Sequence, residues 1–184
     1  MAASDLTTLA NIKAWLALST GSDDAVLARL ITATSSYIQS WLGRTLAVTA
    51  YDEVRNGQGG TRMAFANAPV TAVASLSIGS VTIPPVSGPH TAGYLFDDTL
   101  LYLRGHAFWE GEQNVSISYS AGFATIPPEI EQACIELVAQ RYRERDRIGR
   151  SSTSLQGESA AFVVKDLSPD VQTILQKYQK VVLL

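Results

Sequence analysis

The sequence predicts an α+β protein in which helical segments at both ends of the chain enclose a strand-rich middle. Apolar residues recur at helical spacing in residues 1–45, alternate with polar residues in 46–124, and return to helical spacing in 125–184. We expect an N-terminal helical hairpin and a long C-terminal helix to form a small helical bundle, with an antiparallel β meander inserted between them. Because the helical parts would pack together, the three segments are expected to make one compact domain.

Two helices are predicted in the first segment. The apolar face of the first is formed by Leu9, Ile12, Trp15 and Leu16. The second is expected to begin at Ser22, a good N-cap residue followed by two aspartates, and to end at Gly43, which readily adopts the left-handed conformation. Helices joined by so short a loop are expected to pack as an antiparallel hairpin.

The middle segment contains three predicted hairpins. Residues 48–55 and 61–65 flank the glycine-rich stretch 56–60, which is typical of a hairpin loop. Gly79-Ser80 is a two-residue turn with glycine in the first position. Asp97-Asp98 separates two further short apolar runs and indicates another turn.

Apolar and polar residues alternate regularly at the end of this segment. Val115, Ile117 and Tyr119 alternate with serines, as in an antiparallel strand with one buried face. Residues 46–120 are therefore expected to contain five to seven strands.

The stretch Thr125–Arg150 predicts the central helix. Pro127 and Pro128 suit its start, where a missing N–H has no cost. Its end is rich in arginine, at Arg141, Arg143, Arg145, Arg147 and Arg150. Three interpretations remain open for these side chains: a solvated helix end paired with nearby acids, a protein contact surface, or contacts with DNA phosphates. Glu144 and Asp146 lie among the arginines and argue against DNA.

The last residues predict a linker and a short helix. Gly149–Ala160 is rich in serine and glycine and is expected to be mobile in the free protein. Phe162–Val164 is expected to form a short strand or an apolar anchor. Ser168-Pro169-Asp170 is a helix start, and Val181–Leu184 adds four apolar residues at the end.

Composition restricts the class of protein. The sequence has 184 residues, a hydrophobic fraction of 46%, a net charge of -3 and one cysteine. These values are typical of a folded domain without a disulfide and without general attraction for nucleic acid. Neither a membrane-spanning run nor a secretory signal is apparent, so a soluble intracellular protein is expected.

No residue pattern indicates catalysis, a metal or a cofactor. The glycine-rich stretch 56–62 lacks the lysine and the spacing of a phosphate-binding loop. His90 and His106 have no metal-ligand partners at a suitable spacing. Cys134 lies on the apolar face of its helix, where a buried thiol is the usual state. We therefore expect no enzyme, although a Cys–His nucleophile pair is the alternative that folding could create.

Several segments together resemble a known family. The opening pair of helices in residues 9–44, the stretch Ala68–Leu76, and the passage from Tyr119–Phe123 through the two prolines to Tyr142–Arg145 occur in its order and spacing. On these residues the sequence resembles the head–tail connector proteins of long-tailed bacteriophages and prophages, which are head-completion adaptors and DNA-packaging accessory proteins.

The resemblance implies a structural role without catalysis. Such adaptors assemble as rings of about twelve subunits under the portal protein, extend the DNA channel and dock the next tail (stopper) protein. The free protein is expected to be a monomer, and packaged DNA passes through the channel of the assembled ring. The resemblance also implies that the protein is located in the virion neck, and in the host cytoplasm during assembly, without membrane contact. The family uses its C-terminal segment to grip the portal, here Gly149–Leu184.

Two functions are therefore carried forward. The first is a connector whose subunit or portal interface includes Arg141, Arg143, Arg145, Arg147, Arg150, Phe162, Leu183 and Leu184. The second is a sequence-independent DNA-binding accessory or regulatory protein, which would bind duplex DNA in a salt-dependent way.

Overall fold

The computed structural model describes residues 5–145, 152–155, 158–161, 167 and 169–179. It confirms the α+β class, with four helices and antiparallel sheets. The chain divides into two units. The helical unit contains residues 1–43 and 126–179, and the β unit contains residues 44–125.

Two helices come from the start of the chain. Helix α1 spans Leu9–Leu16, and Thr8 caps it by accepting a hydrogen bond from the Asn11 amide. Helix α2 spans Asp24–Leu42 and ends at Gly43 in the left-handed conformation, as predicted. The predicted N-cap at Ser22 was wrong by one residue, because Asp23 occupies that position. The Asp23 side chain does not cap the helix but bonds to α3 instead.

Helices α3 and α4 complete the helical unit. Helix α3 spans Pro128–Glu144, starts with a proline in its first turn as predicted, and contacts each of the other helices. Helix α4 spans Pro169–Gln176. The side chains buried in this unit include Ile12, Leu27, Ile31, Ile38, Ile130, Cys134, Leu137, Val138, Val171 and Leu175. Every helix contributes to that set, so burial of apolar faces holds the four together.

Between α3 and α4 the chain forms a short antiparallel pair. Strand β8 spans Ser152–Leu155 and strand β9 spans Glu158–Ala161. The sequence predicted a linker over Gly149–Ala160, and the described part of that stretch is strand instead. The predicted strand or anchor at Phe162–Val164 lies outside the described residues.

The β unit contains two sheets. The strands are β1 (Thr49–Gly57), β2 (Arg62–Ala64), β3 (Val70–Ile78), β4 (Val81–Thr82), β5 (Gly93–Phe96), β6 (Leu100–Arg104) and β7 (Gly111–Ala121). The larger sheet has the order β1-β7-β3-β4 and the smaller has the order β2-β6-β5. Their inward side chains share one core, which contains Phe65, Leu76, Ile78, Leu101, Phe108, Ile117 and Tyr119.

The predicted meander does not match this topology. Strand β7 lies between β1 and β3 and pairs with both, so the last strand in sequence occupies the centre of the larger sheet. The hairpin predicted around residues 56–60 is absent from the described pairings, because β1 pairs with β7 and β2 pairs with β6. A three-residue β2 is too short to match the nine-residue β1, whereas the eleven-residue β7 is long enough.

Two of the predicted hairpins are confirmed. Strands β3 and β4 pair across Gly79-Ser80, and β5 pairs with β6 across Asp97-Asp98. Strand β7 is half-buried as its alternation predicts, with Val115, Ile117 and Tyr119 inside. Local patterns thus identified neighbouring pairs and the long strand.

Candidate interaction surface on the helical unit

Arg141 lies inside the helical unit rather than on a free surface. Its Nη1 donates a hydrogen bond of 3.1 Å to Thr34 Oγ1, and Thr34 is fully buried on α2. Its guanidinium also lies 5.0 Å from the centre of the Tyr37 ring, at cation–π distance. This arginine therefore connects α3 to α2 and has a structural task within the subunit.

Arg145 and Tyr142 converge on Asp23, the residue before α2. Arg145 Nη1 is 3.6 Å from Asp23 Oδ1, and the Tyr142 hydroxyl donates to Asp23 Oδ2. The hydrogen bond with Asp23 raises the pKa of the Tyr142 hydroxyl. The Arg145 guanidinium lies 4.2 Å from the centre of the Tyr142 ring. The end of α3 is thereby fixed to the start of α2.

Arg143 points to the other side of α3 and is exposed. Within the described residues it has no hydrogen-bond or ion-pair partner. It lines an open groove of about 370 Å³ together with Trp15, Ala139 and Glu144. Trp15 is 50% exposed, although its spacing on α1 predicted a buried face. An arginine without an ion pair among the described residues thus lies beside a large exposed aromatic ring, and two acids, Glu136 and Glu144, line the same groove.

A second groove lies between α2 and the end of α3. Its volume is about 670 Å³, and Ala25, Val26 and Leu30 form its apolar wall. Val26 is 44% exposed. Arg29 stands at this groove and lacks an ion-pair partner in the part of the chain that the structure describes.

The two grooves lie on opposite sides of one acidic residue. Glu144 lines both, and its Oε1 accepts a hydrogen bond of 3.2 Å from Gln140 Nε2. We call the surface formed by Trp15, Val26, Arg29 and Arg143 the α3-end surface. It combines exposed apolar groups with cations, as protein contact surfaces commonly do.

The predicted interface residues and the α3-end surface have Arg143 in common. Arg141, Arg143 and Arg145 were all predicted, and the structure separates the exposed Arg143 from the two engaged in contacts within the unit. Arg147, Arg150, Phe162, Leu183 and Leu184 lie outside the described residues. Trp15, Val26 and Arg29 were missed as surface residues. Trp15 and Val26 gave a weak signal, since apolar residues at helical spacing usually point inward. Arg29 is a single charge on α2 outside the arginine-rich stretch.

The C-terminal helix is folded onto α3. Val171 and Leu175 are buried. The Tyr178 hydroxyl donates a hydrogen bond of 3.3 Å to Glu129 Oε2, and Lys177 Nζ lies 3.7 Å from the same oxygen. Glu129 is in the first turn of α3, where a carboxylate is favourable. The apolar face of α4 is therefore covered by the chain itself.

Two residues that the sequence offered as candidate functional groups, Cys134 and Asp97, have structural roles. Cys134 is buried with its Sγ 3.7 Å from Ser35 Oγ, and burial raises the pKa of its thiol to about 11. Asp97 accepts hydrogen bonds from the Thr99 amide, the Tyr102 hydroxyl and the Leu100 amide, which lower the pKa of its carboxyl to about 2. Cys134 is therefore a poor nucleophile, and Asp97 shapes a turn.

Among the described residues, no cluster of three or more histidine, cysteine, aspartate or glutamate side chains is arranged to hold a metal ion. None of the helices in the same residues has the length and apolar character required to cross a membrane.

A family model identifies the family of this chain. A family model described as head completion protein matches residues 5–181. No curated protein sequence matches the chain significantly.

Solved structures share the fold at low sequence identity. A chain in the neck of an empty gene transfer agent (GTA) particle, computed with C6 symmetry, has 22% identity and a TM-score of 0.59. A chain in the neck of the native GTA particle, computed with C12 symmetry, has 22% identity and a TM-score of 0.57. A chain in the virion of the native GTA particle has 23% identity and a TM-score of 0.57. Each comparison covers 96% of this chain and 90% of the other.

Proposed function

The chain belongs to the head completion protein family, and from this premise we propose that it forms a ring under the portal in the virion neck. It is a structural head–tail connector. In this role it extends the DNA channel and docks the next tail component. The observation that carries the proposal is the family match, which runs over residues 5–181 and so includes both the helical unit and the β unit.

Ring formation is supported by the chains of similar fold. Two of them come from necks computed with C6 and C12 symmetry, in which identical chains repeat around an axis. For this chain we propose a ring of about twelve subunits, with heterologous contacts that close after a full turn. Its further partners in the proposal are the portal protein, a stopper protein and the packaged DNA.

The α3-end surface is the proposed subunit or portal contact. Arg143 and Arg29 are exposed cations next to Trp15 and Val26, and arginine and tryptophan are over-represented among residues that dominate binding energy. Cations at the rim of an apolar patch accelerate association with an acidic partner and select its orientation. Arg147, Arg150 and the apolar C-terminal residues are proposed to extend this contact.

The helical unit is proposed to act as a rigid platform for that contact. We regard α1 and α2 as a hairpin that forms one bundle with α3 and α4. Asp23, Arg141 and Arg145 fix the end of α3 against α2, so the two grooves keep their shape. Preorganisation of this kind lowers the entropy lost on binding.

Particle assembly in the absence of the chain tests the proposed function. With the gene deleted, we expect DNA-filled heads without attached tails in electron micrographs, and tailed particles when the wild-type chain is supplied. Tailed, infectious particles in the deletion would overturn the proposal. The DNA-binding alternative has no support from the family match. It predicts a salt-sensitive shift of duplex DNA by the purified chain, which the connector role does not require.

A further inference from the structure

A loop of the β unit exposes a tryptophan on a hydrogen-bonded backbone. Trp109 is 49% exposed, on the loop between β6 and β7. Its carbonyl oxygen accepts a hydrogen bond of 2.8 Å from Asn114 Nδ2, and Asn114 Oδ1 accepts one of 2.7 Å from the Gly57 amide. The Phe108 amide donates to the Gly60 carbonyl, and the Gly59 amide donates to the Phe108 carbonyl. These hydrogen bonds fix the backbone that carries the exposed indole.

Two acids accompany this ring. Glu110 and Glu112 are exposed, and neither has an ion-pair partner in the described ranges. We call Trp109 and Glu110, together with Glu112 at the start of β7, the Trp109 loop. It has the opposite charge to the groove of Val26, Leu30 and Arg29 on the helical unit.

We propose that the Trp109 loop of one subunit docks into the Val26–Leu30 groove of a second copy of this chain. The proposal rests on the proposed function, because it names the contact that joins neighbours in the ring. The indole would cover Val26 and Leu30, and Glu110 and Glu112 would face Arg29. Since the two surfaces differ, the contact is heterologous and propagates from copy to copy until a ring closes.

Charge and size both favour this occupant. Arg141, Glu144 and Arg145 also line the groove. Arg141 and Arg145 already contact residues of their own subunit, so Arg29 is the cation that can meet a partner's carboxylates. Its volume of about 670 Å³ is ample for one indole side chain. Tryptophan is enriched among the residues that dominate binding energy, and such residues lie in desolvated pockets surrounded by contacts that exclude water.

The other exposed apolar element of the β unit is less suitable. The β5–β6 turn exposes Phe96 beside Asp97. The Asp97 carboxylate already accepts hydrogen bonds from Thr99, Leu100 and Tyr102, so it has little capacity left for a partner's arginine. Phe96→Ala is therefore a matched control for Trp109→Ala.

The first experiment compares these variants in complementation of the deletion. Trp109→Ala is expected to lower the yield of tailed particles by about tenfold or more, and Phe96→Ala to leave it unchanged. Circular dichroism of the purified variants checks that both fold. If Phe96→Ala blocks assembly and Trp109→Ala does not, the hairpin turn is the contact and the proposal is wrong.

Charge exchange tests the pairing itself. Arg29→Glu alone, and the combination Glu110→Arg with Glu112→Arg, are each expected to reduce particle yield by about tenfold. All three changes together should restore most of it. If the triple variant does not restore the particle yield, the proposed pairing of Glu110 and Glu112 with Arg29 is wrong. If the wild-type chain is absent from the necks of the particles, the proposed function is wrong instead.

Photo-crosslinking identifies the occupant directly. A benzophenone amino acid replaces Trp109 in particles assembled from a mixture of isotopically heavy and light chains. The expected product joins residue 109 of one copy to the peptide that contains Val26 and Leu30 of another, seen as mixed heavy–light pairs. Cross-links only to the portal or to another neck protein, in particles that contain the chain, would contradict the proposal.

Discussion

Arg141 Nη1 donates a hydrogen bond of 3.1 Å to the buried Thr34 Oγ1, which makes this arginine an internal tie between α3 and α2. Two positions further on, Arg143 is exposed and has no partner in the described part of the chain. Neighbouring arginines of one predicted cluster therefore have different tasks. Stability measurements and assembly measurements should separate them.

Arg141→Met is expected to destabilise the monomer. The methionine retains most of the apolar stem but loses the charged hydrogen bond to Thr34 and the contact with Tyr37, which together correspond to about 2 kcal/mol of unfolding free energy. Urea denaturation followed by circular dichroism measures the loss. Arg143→Met is the matched control and is expected to stay within about 0.5 kcal/mol of wild type. Equal stabilities for the two variants would show that the internal tie is unimportant.

Stability is expected to fall at alkaline pH through Tyr119. Burial, together with the hydrogen bond to Glu53, raises the pKa of the Tyr119 hydroxyl from 10.0 to about 12. The folded state thus holds this proton more tightly than the unfolded state does. The resulting stability is complete below about pH 10 and is lost as the pH rises towards about 12.

Tyr119→Phe isolates this contribution. At pH 7 the variant is expected to lose about 1–2 kcal/mol, because the Glu53 carboxylate loses a hydrogen-bond donor while the ring still packs against Phe65. Denaturation at a series of pH values should show the difference from wild type shrinking between about pH 10 and 12. A difference that stays constant over that range would contradict the assigned cause.

Local sequence patterns predicted the helices and strands of this fold better than they predicted which strands pair with each other. The helices and the β3–β4 and β5–β6 pairs follow from caps, turns and periodicity that involve neighbouring residues. The position of β7 between β1 and β3 depends on contacts far apart in sequence, and no local signal indicates them. Which distant strands pair depends on how their side chains pack in the whole core.

The candidate surface was predictable to a similar degree. The density of arginines in the sequence indicated the end of α3 as a candidate surface. It did not indicate the direction in which each arginine side chain points. Whether an arginine points to Thr34, to Asp23 or to solvent depends on its angle around the helix and on what α2 offers there. Trp15 and Val26 carried the same apolar signal as buried neighbours such as Ile12 and Leu27, and only packing distinguishes the two sets.

Cys134 is expected to be inert in the folded protein. Burial raises the pKa of its thiol to about 11, so very little thiolate exists at pH 8. A colorimetric disulfide reagent should react slowly with the native chain and completely after addition of denaturant. Rapid stoichiometric reaction of the native chain would mean that α3 opens locally. Inertness also permits labelling at introduced cysteines without removal of the natural one.

Gly57→Ala is expected to disrupt the Trp109 loop. A Cβ at this position would lie 1.8 Å from the Trp109 carbonyl oxygen, so the loop or β1 has to move. Overpacking of this kind costs about 1–3 kcal/mol. Gly60→Ala is the matched control, since its nearest neighbour would be an ordinary 3.8 Å away. Thermal unfolding compares the two, and a Gly57 variant as stable as the control would show that the loop adapts freely.

Arg143→Glu is expected to leave the monomer folded and to impair assembly. Arg143 is exposed and unpaired within the described residues, so reversal of its charge should change the unfolding free energy by no more than about 0.5 kcal/mol. In the proposed contact the new carboxylate would repel an acidic partner and stand beside Trp15. Native mass spectrometry of the chain with and without the portal protein measures ring and portal complexes. Arg143→Gln is the matched variant, because it removes the charge without reversing it. Arg104→Glu is not a suitable control, because Arg104 donates a hydrogen bond to the Gly88 carbonyl. A graded loss from wild type through Gln to Glu supports an electrostatic contact, and unchanged complexes for the Glu variant would exclude Arg143 from the interface.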